Sequence, residues 1–370
     1  MSESFSQKYR VGIVGATGMV GQRFISLLEN HPWFEVTMVA ASARSSGKTY
    51  REAVEGRWAF DWPIPEHVAE MCVHDASDVS AWVDLVDFVF CAVDMKKDEI
   101  RSLEELIAKH EVPVVSNNSA CRGIPDVPMM IPEINSDHVA VIETQKKRLG
   151  TKCGFIAVKP NCSIQSYVPA LTPLLDFEPE KVSVCTYQAI SGAGKTFRTW
   201  PEMVDNVIPY IGGEDEKSEQ EPLKIWGHLE DSPEGSIIVN AKLPVISAQC
   251  LRVACSDGHM AAVSVSFRSK PSYEEILNRW KNFETLPQKL NLPSAPRPFL
   301  QYFEDPSRPQ TRLDRDFERG YGVSIGRLRE DRIFDWRFVC LSHNTIRGAA
   351  GGGILSAEML CAKGLIPHRI

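Results

Sequence analysis

The sequence predicts an α/β fold in two parts, a parallel sheet followed by a mixed or antiparallel one. The chain has 370 residues, more than the about 100–200 residues of one ordinary domain. Strand and helix patterns alternate in the first half, which is typical of a parallel sheet built from βαβ units. After Pro160 the expected strands are longer and lack regular helical intervals. We therefore expect a domain boundary near Pro160.

The elements of the first part follow from the spacing of apolar residues. Short apolar runs predict strands, and Val20, Phe24 and Leu28 share one face at helical spacing. The predicted strands cover residues 10–15, 35–41, 87–93, 112–116 and 155–159, and the predicted helices cover 19–29 and 98–110.

The second part is predicted to be richer in strands. A helix is expected over 164–175 and a closing helix over 344–363, with a charged surface segment over 212–224 and a loop over 306–319. The predicted strands cover 182–190, 243–253 and 260–267.

Composition and charge exclude several classes of protein. Hydrophobic residues make up 43% and charged residues 24%, which is typical of a globular chain and not of a disordered one. The net charge of −7 gives no reason to expect a nucleic acid or an anionic membrane as partner. No apolar run approaches the ~18 residues of a membrane span, and residues 1–10 lack the apolar core of a secretory signal. We expect a cytoplasmic protein.

The ten cysteines are scattered along the chain. No two of them form a Cys-x-x-Cys pair, and no cysteine and histidine cluster has the spacing of zinc ligands. We therefore expect reduced thiols and no metal site. Most of these cysteines should be small buried residues, with one or two doing chemistry.

Four glycines, Gly12, Gly15, Gly18 and Gly21, follow one another at intervals of three between the first predicted strand and helix. Glycines in this place permit a tight turn and let backbone N–H groups approach a pyrophosphate at the helix start. The pattern favours a Rossmann-type dinucleotide site, although a turn that only packs a helix on a sheet is the alternative. The candidate cofactor residues of this turn are Gly15, Thr17, Gly18, Met19 and Val20.

The end of the second predicted strand indicates which dinucleotide binds. NAD sites usually carry an acidic residue here, on the ribose 2′-hydroxyl. This chain reads ASARSSGK over residues 41–48, with no acid. Ser42, Arg44 and Ser45 are the candidate residues for a 2′-phosphate, which Lys48 could also bind, so the sequence favours NADP. A solvated polar loop is the alternative.

Cys162 is the cysteine whose neighbours favour chemistry. It lies in PNCS, between a predicted strand and a predicted helix. The positive end of the helix dipole should lower the thiol pKa, and N–H groups of the same turn could stabilise an oxyanion. The alternative, a buried structural cysteine, lacks this context.

His259 and Arg252 belong to one segment, RVACSDGH. His259 follows a glycine at the start of a predicted strand, so we expect it to be exposed to a cleft, where it could transfer protons near neutral pH. A histidine at a strand edge with no such role is the alternative. Arg252 is a guanidinium in an apolar strand, where it either binds a carboxylate or forms a structural pair.

Six pieces of the chain together resemble one enzyme family. GATGMVG, SNNSACR, PNCS, YQAISGAGK, RVACSDGH and HNTIRGAAGGG occur in this order in aspartate-semialdehyde dehydrogenases, and the chain is most similar to the archaeal and fungal branch. The resemblance implies a Rossmann-type NADP-binding domain, residues 1–160 with 344–370. It also implies an α+β catalytic and dimerisation domain of glyceraldehyde-phosphate-dehydrogenase type, residues 161–343.

The resemblance also implies roles for single residues. Cys162 would be the acyl-thioester nucleophile, His259 the acid and base, and Gln188 the residue that orients the substrate. Arg252 would bind the substrate α-carboxylate and Glu221 its α-ammonium group.

Further positions match family residues around phosphate and cofactor. Arg122 and Lys224 would hold the acyl phosphate or phosphate, beside Asn161. Ser191 and Gly192 would line the nicotinamide end, and Asn344 would return the chain to the cofactor domain.

The implied reaction is the NADP-dependent interconversion of β-aspartyl phosphate and aspartate semialdehyde, by a homodimer or homotetramer. Two related enzymes remain alternatives. N-acetylglutamyl-phosphate reductase reads Gly-Cys-Tyr-Pro at its nucleophile, unlike the Asn-Cys-Ser-Ile found here. Archaeal malonyl-CoA reductase has a similar closing segment, but Asn161 and a Glu221/Lys224 pair favour an amino-acid substrate. A non-catalytic NADP-binding protein should lack Cys162, which this chain retains.

Overall fold

The computed structural model describes residues 7–369, and its first part is a parallel sheet with helices between the strands. The elements follow in chain order: β1 (Tyr9–Val14), α1 (Met19–Leu28), β2 (Phe34–Ala41), α2 (Tyr50–Ala53), α3 (Glu66–Ala69), β3 (Val73–Asp75), β4 (Phe88–Cys91), α4 (Lys97–Lys109), β5 (Val114–Ser116), α5 (Ile142–Leu149) and β6 (Ile156–Val158).

The six strands lie in the order β3-β2-β1-β4-β5-β6, and every pairing is parallel. This is the doubly wound order, in which ligands bind outside the carboxyl ends of the strands. The predicted strands and helices match these elements to within a few residues. The prediction lacks β3 and the short helices α2 and α3, which have too few residues to show a period, and it also lacks α5.

The second part contains the remaining elements: α6 (Ile164–Leu171), β7 (Pro179–Gln188), β8 (Val207–Ile208), α7 (Glu214–Ile225), β9 (His228–Ser232), β10 (Gly235–Val239), β11 (Val245–Val253), β12 (His259–Phe267), α8 (Tyr273–Lys281), α9 (Leu286–Lys289), β13 (Leu300–Phe303), α10 (Thr311–Asp314), β14 (Val323–Glu330), β15 (Trp336–Ser342) and α11 (Gly351–Ala362). Their main sheet has seven strands in the order β13-β14-β15-β12-β7-β11-β8.

This sheet is mixed. β7 pairs with β11 in parallel and with β12 in antiparallel fashion, and β9 and β10 form a separate hairpin. The predicted fold class is therefore confirmed. Residues 1–6 and 370 lie outside the described residues, which leaves the prediction about a secretory signal largely untested, and the domain boundaries stay a prediction.

Three segments differ from the prediction. Residues 212–224 are no exposed segment, because α7 buries one of its faces against the second sheet. The loop over 306–319 contains the short helix α10 and a 3-10 turn. The closing helix begins as a π-helical stretch, Ile346–Ala350, and turns α-helical only at Gly351.

The last helix packs on the first sheet. Ile354 and Leu355 of α11 share a buried cluster with Ile13 of β1 and Phe24 of α1. A second cluster joins the two sheets, with Val158 of β6 among its members beside residues of β7 and β12. The carboxyl ends of β6, β7 and β11 therefore converge between the two sheets.

Candidate active site

A cavity of about 260 Å³ lies where these strand ends meet. It contains most of the residues predicted to act on the substrate and at the nicotinamide end. Lining residues that were predicted from the sequence are Val20, Arg122, Asn161, Cys162, Gln188, Ser191, Gly192, Arg252 and Asn344. Lining residues that were not predicted include Asn117, Lys159, Glu214, Thr345, Gly348 and Ala349.

Cys162 lies in the turn between β6 and α6, on the wall of the cavity. The backbone of Gly348 packs against it, since a side chain at that glycine would come within 2.9 Å of the Cys162 Cβ. Burial, and then Glu214, raises the pKa of the Cys162 thiol, while Lys159, Arg252 and Arg122 oppose the rise. The expectation that the helix start lowers this pKa is wrong for the ligand-free protein, because burial of the thiol outweighs it.

Asn161 holds the backbone of the nucleophile turn. Its side-chain oxygen accepts from the backbone N–H and the hydroxyl of Ser163, both at 2.7 Å. Its side-chain nitrogen donates to Glu214 Oε1 at 2.9 Å. Asn161 therefore joins the Cys162 turn to the first turn of α7.

Gln188 and Arg252 are brought together by the sheet. They are register partners at the ends of the parallel strands β7 and β11. Gln188 donates to Glu214 Oε2 at 3.2 Å, and one nitrogen of Arg252 donates to the carbonyl of Ala189 at 2.7 Å. Arg252 is buried and lines the cavity, so it places a positive charge beside the Glu214 carboxylate.

The structure corrects the prediction for Glu221. Its two oxygens accept from Arg122 at 2.8 Å and from the backbone N–H of Asn161 at 2.6 Å. It is not among the residues that line the cavity, and Glu214 stands there instead. Glu214 is therefore the carboxylate on the cavity wall, and its Oε1 also accepts from Lys217 at 2.9 Å.

The prediction for Lys224 is wrong for a similar reason. Its ammonium group donates to the backbone carbonyls of Arg122, Ile124 and Val127 at 2.7, 2.7 and 2.9 Å. These bonds use its three N–H groups, so that none remains for a phosphate.

The sequence contains two Glu-x-x-Lys pairs in this segment, Glu214 with Lys217 and Glu221 with Lys224. They lie seven residues apart, which is about two turns of one helix, and therefore on the same face of α7. Pattern alone could not choose between them. Both glutamates accept from Asn161, so only the approach of the helix start to Gln188 and to the cavity selects the first pair.

Arg122 lies in the loop after β5, where its guanidinium donates to Glu221 and, at 3.1 Å, to the carbonyl of Asn117. Its buried Nε has no hydrogen-bond partner among the described residues. Both side-chain polar atoms of Asn117 are buried and likewise without a partner there. This wall of the cavity therefore has unused donors.

His259 is fully buried, contrary to the expectation of an exposed histidine, because β12 begins inside the molecule. Its Nδ1 accepts from the backbone N–H of Ala189 at 3.1 Å, which assigns the ring proton to Nε2. Burial lowers the pKa of His259 to about 3, so the ring is neutral at neutral pH. Nε2 has no partner among residues 7–369 and lies close to Gly192, which lines the cavity.

Asn344 connects three segments around the cavity. It accepts from the backbone N–H of Gly258 at 2.7 Å and donates to the Ser191 hydroxyl at 2.8 Å. It follows β15, in the stretch that leads to α11. The residue thus fixes the turn after β7 and the turn before β12, which carries His259.

The glycine turn after β1 has the shape of a phosphate cradle. Gly15 has φ 90°, and a side chain there would collide with the carbonyl of Ala92. Gly18 is exposed at the start of α1, so its backbone is open to a ligand. Thr17 and Met19 are half-buried beside it, and Val20 reaches the cavity. The residues present therefore fit a dinucleotide that runs from this turn to Cys162.

The turn after β2 lies at the same edge of the sheet. Ser42 and Arg44 are exposed, whereas the side chain of Ser45 is buried and its backbone N–H donates to the Ser42 carbonyl at 2.8 Å. Of the three residues predicted to bind a 2′-phosphate, Ser45 is therefore the one whose side chain is closed to a ligand. No acidic residue stands between Ala41 and Lys48.

Residues 7–369 contain no group of three or more histidine, cysteine, aspartate or glutamate side chains placed to hold a metal ion. Within the same residues, no helix is both long and apolar enough to cross a membrane.

A glycine cradle at the carboxyl edge of a doubly wound sheet, leading to a cavity lined by Cys162, is typical of a dinucleotide-dependent oxidoreductase. Residues 10–142 match the sequence model of the semialdehyde dehydrogenase NAD binding domain, and residues 171–347 match that of the semialdehyde dehydrogenase dimerisation domain.

Curated relatives give the same result. An aspartate-semialdehyde dehydrogenase of Aspergillus fumigatus is 41% identical over 97% of this chain and 99% of its own length. One of Methanothermobacter thermautotrophicus is 42% identical over 95% of this chain and 98% of its own. The chain belongs to the aspartate-semialdehyde dehydrogenase family, which confirms the resemblance read from the sequence.

A solved structure supports this assignment. The Candida albicans aspartate semialdehyde dehydrogenase with NADP aligns with a TM-score of 0.86 and 38% identity. The alignment covers 97% of this chain and all of that one. The fold described here is therefore that of the family over almost its full length.

Proposed function

We propose that this chain interconverts β-aspartyl phosphate and aspartate semialdehyde with NADP, through an acyl thioester on Cys162, in the aspartate-family route to lysine, threonine and methionine. The observation that carries the proposal is the meeting of Cys162, Arg252 and Glu214 in one cavity. A guanidinium and a carboxylate that line one cavity with a thiol fit an amino-acid aldehyde, whose carboxylate and ammonium need opposite charges. Family membership and the NADP complex of the Candida albicans relative support the cofactor.

Binding comes first. Arg252 would bind the α-carboxylate and Glu214 the α-ammonium group, and together they hold the acyl carbon over the thiol. Arg122, which is held by Glu221 of α7 at 2.8 Å, lines the same cavity and would hold the phosphate group. Gln188, hydrogen bonded to Glu214, would orient the acyl group.

The Cys162 thiolate then attacks the acyl carbon. A bond forms between sulfur and carbon, the bond from carbon to the phosphate oxygen breaks, and phosphate leaves. The surrounding cations Lys159, Arg252 and Arg122 lower the free energy of the thiolate that burial otherwise disfavours.

Reduction gives the aldehyde. When bound, the cofactor supplies the hydride that turns the thioester into a hemithioacetal oxyanion. His259, whose ring proton is on Nε2, would donate a hydrogen bond from Nε2 to this oxygen. When the carbon to sulfur bond breaks, the aldehyde is released and the thiolate of Cys162 is restored.

The alternative substrate is malonyl-CoA, whose acyl part has no ammonium group. A steady-state assay of NADP reduction separates the two, with aspartate semialdehyde plus phosphate in one arm and malonate semialdehyde plus coenzyme A in the other. We expect turnover in the first arm. Turnover in the second arm alone would overturn the proposed substrate.

We further propose that the chain forms at least a homodimer through the second sheet, with a homotetramer as the larger possibility. Residues on β7 and β11 alternate between buried and exposed, which leaves one face of this sheet open to solvent. Large apolar side chains stand on or beside this face, including Tyr187 at 37% and Val245 at 63% exposure. The match to a dimerisation domain covers these strands.

Light scattering coupled to size-exclusion chromatography tests the assembly. Tyr187→Glu should shift the wild-type dimer or tetramer towards monomer, while Lys281→Glu, on helix α8, serves as a matched control. A monomeric wild type would contradict the proposal.

We also place the protein in the cytoplasm, since the proposed chemistry needs a reduced thiol and all ten cysteines are free.

A further inference from the structure

The segment over residues 306–319 has no part in the proposed mechanism, although it is firmly fixed beside the second sheet. Asp314, the last residue of α10, is 3% exposed. Its carboxylate accepts from the Arg308 guanidinium and from the backbone N–H of Gln310, the latter at 2.7 Å. Its backbone carbonyl accepts from the Ser324 hydroxyl of β14 at 3.2 Å. A segment anchored by a buried, hydrogen-bonded carboxylate is rigid and holds what it contacts in place.

The segment contacts the turn before β12, residues 254–258. Gly258 has φ 96°, and a side chain there would come within 3.2 Å of Arg315 Cβ. Arg315 Nη1 donates to the Ser256 hydroxyl at 3.0 Å and to the Asp257 carbonyl at 3.2 Å. Arg315 is therefore the side chain by which the segment holds this turn.

The same turn is bound to two parts of the site that act in hydride transfer. His259 follows Gly258 directly, and its Nε2 is the proposed donor to the oxyanion. The carbonyl of Ser256 accepts from the backbone N–H of Ser191 at 3.2 Å. Gly192, the next residue, lies against His259, since a side chain there would come within 3.0 Å of Nε2. A displacement of the turn would therefore move His259 together with the cavity wall predicted to face the nicotinamide.

The nucleophile is held by other elements. Cys162 lies between β6 and α6, and Asn161 fixes its turn by hydrogen bonds to Ser163 and Glu214. These bonds end within the turn and on α7, and none of them reaches the segment 306–319. A change in that segment should therefore leave the thiol in place.

We propose that Arg315 is a positioning residue for hydride transfer. By fixing the turn 254–258, it holds His259 against the cavity wall at Gly192. The proposal rests on the proposed function for the identity of the aldehyde. The side chain of Arg315 is 26% exposed and Asp316 Oδ2 lies at 3.7 Å, so this ion pair contributes little beside the two hydrogen bonds to the turn.

Hydride transfer is isolated when phosphate is left out of the assay. With aspartate semialdehyde and NADP, the Cys162 sulfur adds to the aldehyde carbon, and hydride then passes from the hemithioacetal carbon to NADP. The carbon is oxidised to the thioester, and the hydroxyl proton is released to solvent. Without phosphate the thioester stays on the enzyme, so stopped-flow absorbance should record a burst of about one NADPH per site.

Arg315→Met should slow this burst about 10–100-fold at unchanged amplitude, because a small misplacement of the reacting groups is enough for such a loss. Aspartate semialdehyde deuterated at its aldehyde carbon should slow the burst further, which identifies hydride transfer as the step measured. The rate of Cys162 alkylation by iodoacetamide should keep its wild-type value. A merely structural role would instead lower the amplitude, since unfolded sites form no NADPH, and leave the rate constant unchanged.

Three variants sharpen the test. Arg312→Met is the matched control, because Arg312 is exposed on α10 three residues before Arg315, and it should keep the wild-type burst. Arg315→Lys should recover part of the rate, since an ammonium can donate to one of the two acceptors. Ser256→Ala removes one acceptor and should slow the burst about 2–10-fold, which tests the proposal if Arg315→Met does not fold. A wild-type rate constant in Arg315→Met, or in Ser256→Ala where that variant stands alone, would overturn the proposal.

The proposed substrate is tested in the same experiment. A wild type that forms NADPH from malonate semialdehyde and not from aspartate semialdehyde would refute the substrate. The burst with malonate semialdehyde would then decide on Arg315, because both aldehydes react through the same thiol and hydride steps.

Discussion

The cofactor end and the acyl end of this site differ in how far their polar and charged groups are exposed to solvent. At the cofactor end, backbone N–H groups of the glycine turn and the exposed Arg44 face solvent. At the acyl end the ionisable groups are buried, and burial raises the pKa of Cys162, lowers that of Lys159 to about 7 and lowers that of His259 to about 3. Charges at the first end are permanent, whereas those at the second depend on pH and on what is bound.

This difference in exposure determines where a substitution should have the largest effect on activity. An exposed cation is screened by water and can be removed at modest cost. A buried group acts through its protonation state, and its loss changes the charges of its neighbours as well.

The largest effect is expected for the nucleophile. Cys162→Ala should lower turnover by at least about 10³-fold, because no other group can form the thioester, while NADP affinity remains. The measurement is NADPH absorbance in the steady state together with a cofactor titration. Cys255→Ala is the matched control and should keep its activity; a trapped acyl group on any peptide other than that of Cys162 would refute the assignment.

A smaller effect is expected where the structure corrected the sequence. Glu214→Gln should raise the Michaelis constant for aspartate semialdehyde by about 10–100-fold, because a charge-assisted hydrogen bond to the ammonium is lost. Succinate semialdehyde, which lacks that ammonium, should be little affected. Glu221→Gln is the control and should not change the preference between the two aldehydes. A changed preference would show that Glu221, and not Glu214, binds the ammonium group of the substrate.

The buried histidine should make stability depend on pH. The pKa of His259 is about 3 in the folded chain and about 6.5 in an unfolded one, so only the unfolded state binds a proton between these values. Its contribution is complete above about pH 6.5 and is lost as the pH falls towards 3. Urea unfolding of wild type and His259→Gln at about pH 7 and about pH 5 measures this. The free energy of unfolding that is lost between the two pH values should be about 2 kcal/mol smaller in the variant. Equal losses in both would mean that His259 is charged in the folded protein.

The smallest effect is expected at the cofactor end. Arg44→Ala should weaken NADP by about tenfold and leave NAD nearly unchanged, since only NADP has the 2′-phosphate. Fluorescence titration with both cofactors measures this. The NADP effect should shrink at high salt, as expected for an exposed charge pair. Equal weakening of both cofactors would show that Arg44 does not contact the phosphate.

The features that were predicted correctly from the sequence are those that a local pattern of residues determines. The glycine turn, the position of Cys162 between β6 and α6, and the strands at Gln188 and Arg252 depend on periodicity and on turn residues. The choice between Glu214 and Glu221 depends on which turn of α7 reaches Gln188 and the cavity, a tertiary contact that no helical spacing encodes. Lys159 was not predicted because lysine is normally exposed, whereas here its side chain is buried and packs on Gly352 of α11.

The packing of α11 on the first sheet has a consequence for synthesis on the ribosome. Ile13 and Phe24 are made early, but Ile354 and Leu355, which complete their hydrophobic cluster, emerge only after the whole second sheet. The nascent Rossmann-type half must therefore wait with part of its apolar surface uncovered. Chaperones that bind such surface would meet this half first, and a ribosome stalled before α11 would present a chain whose second sheet can fold while its first cannot be completed.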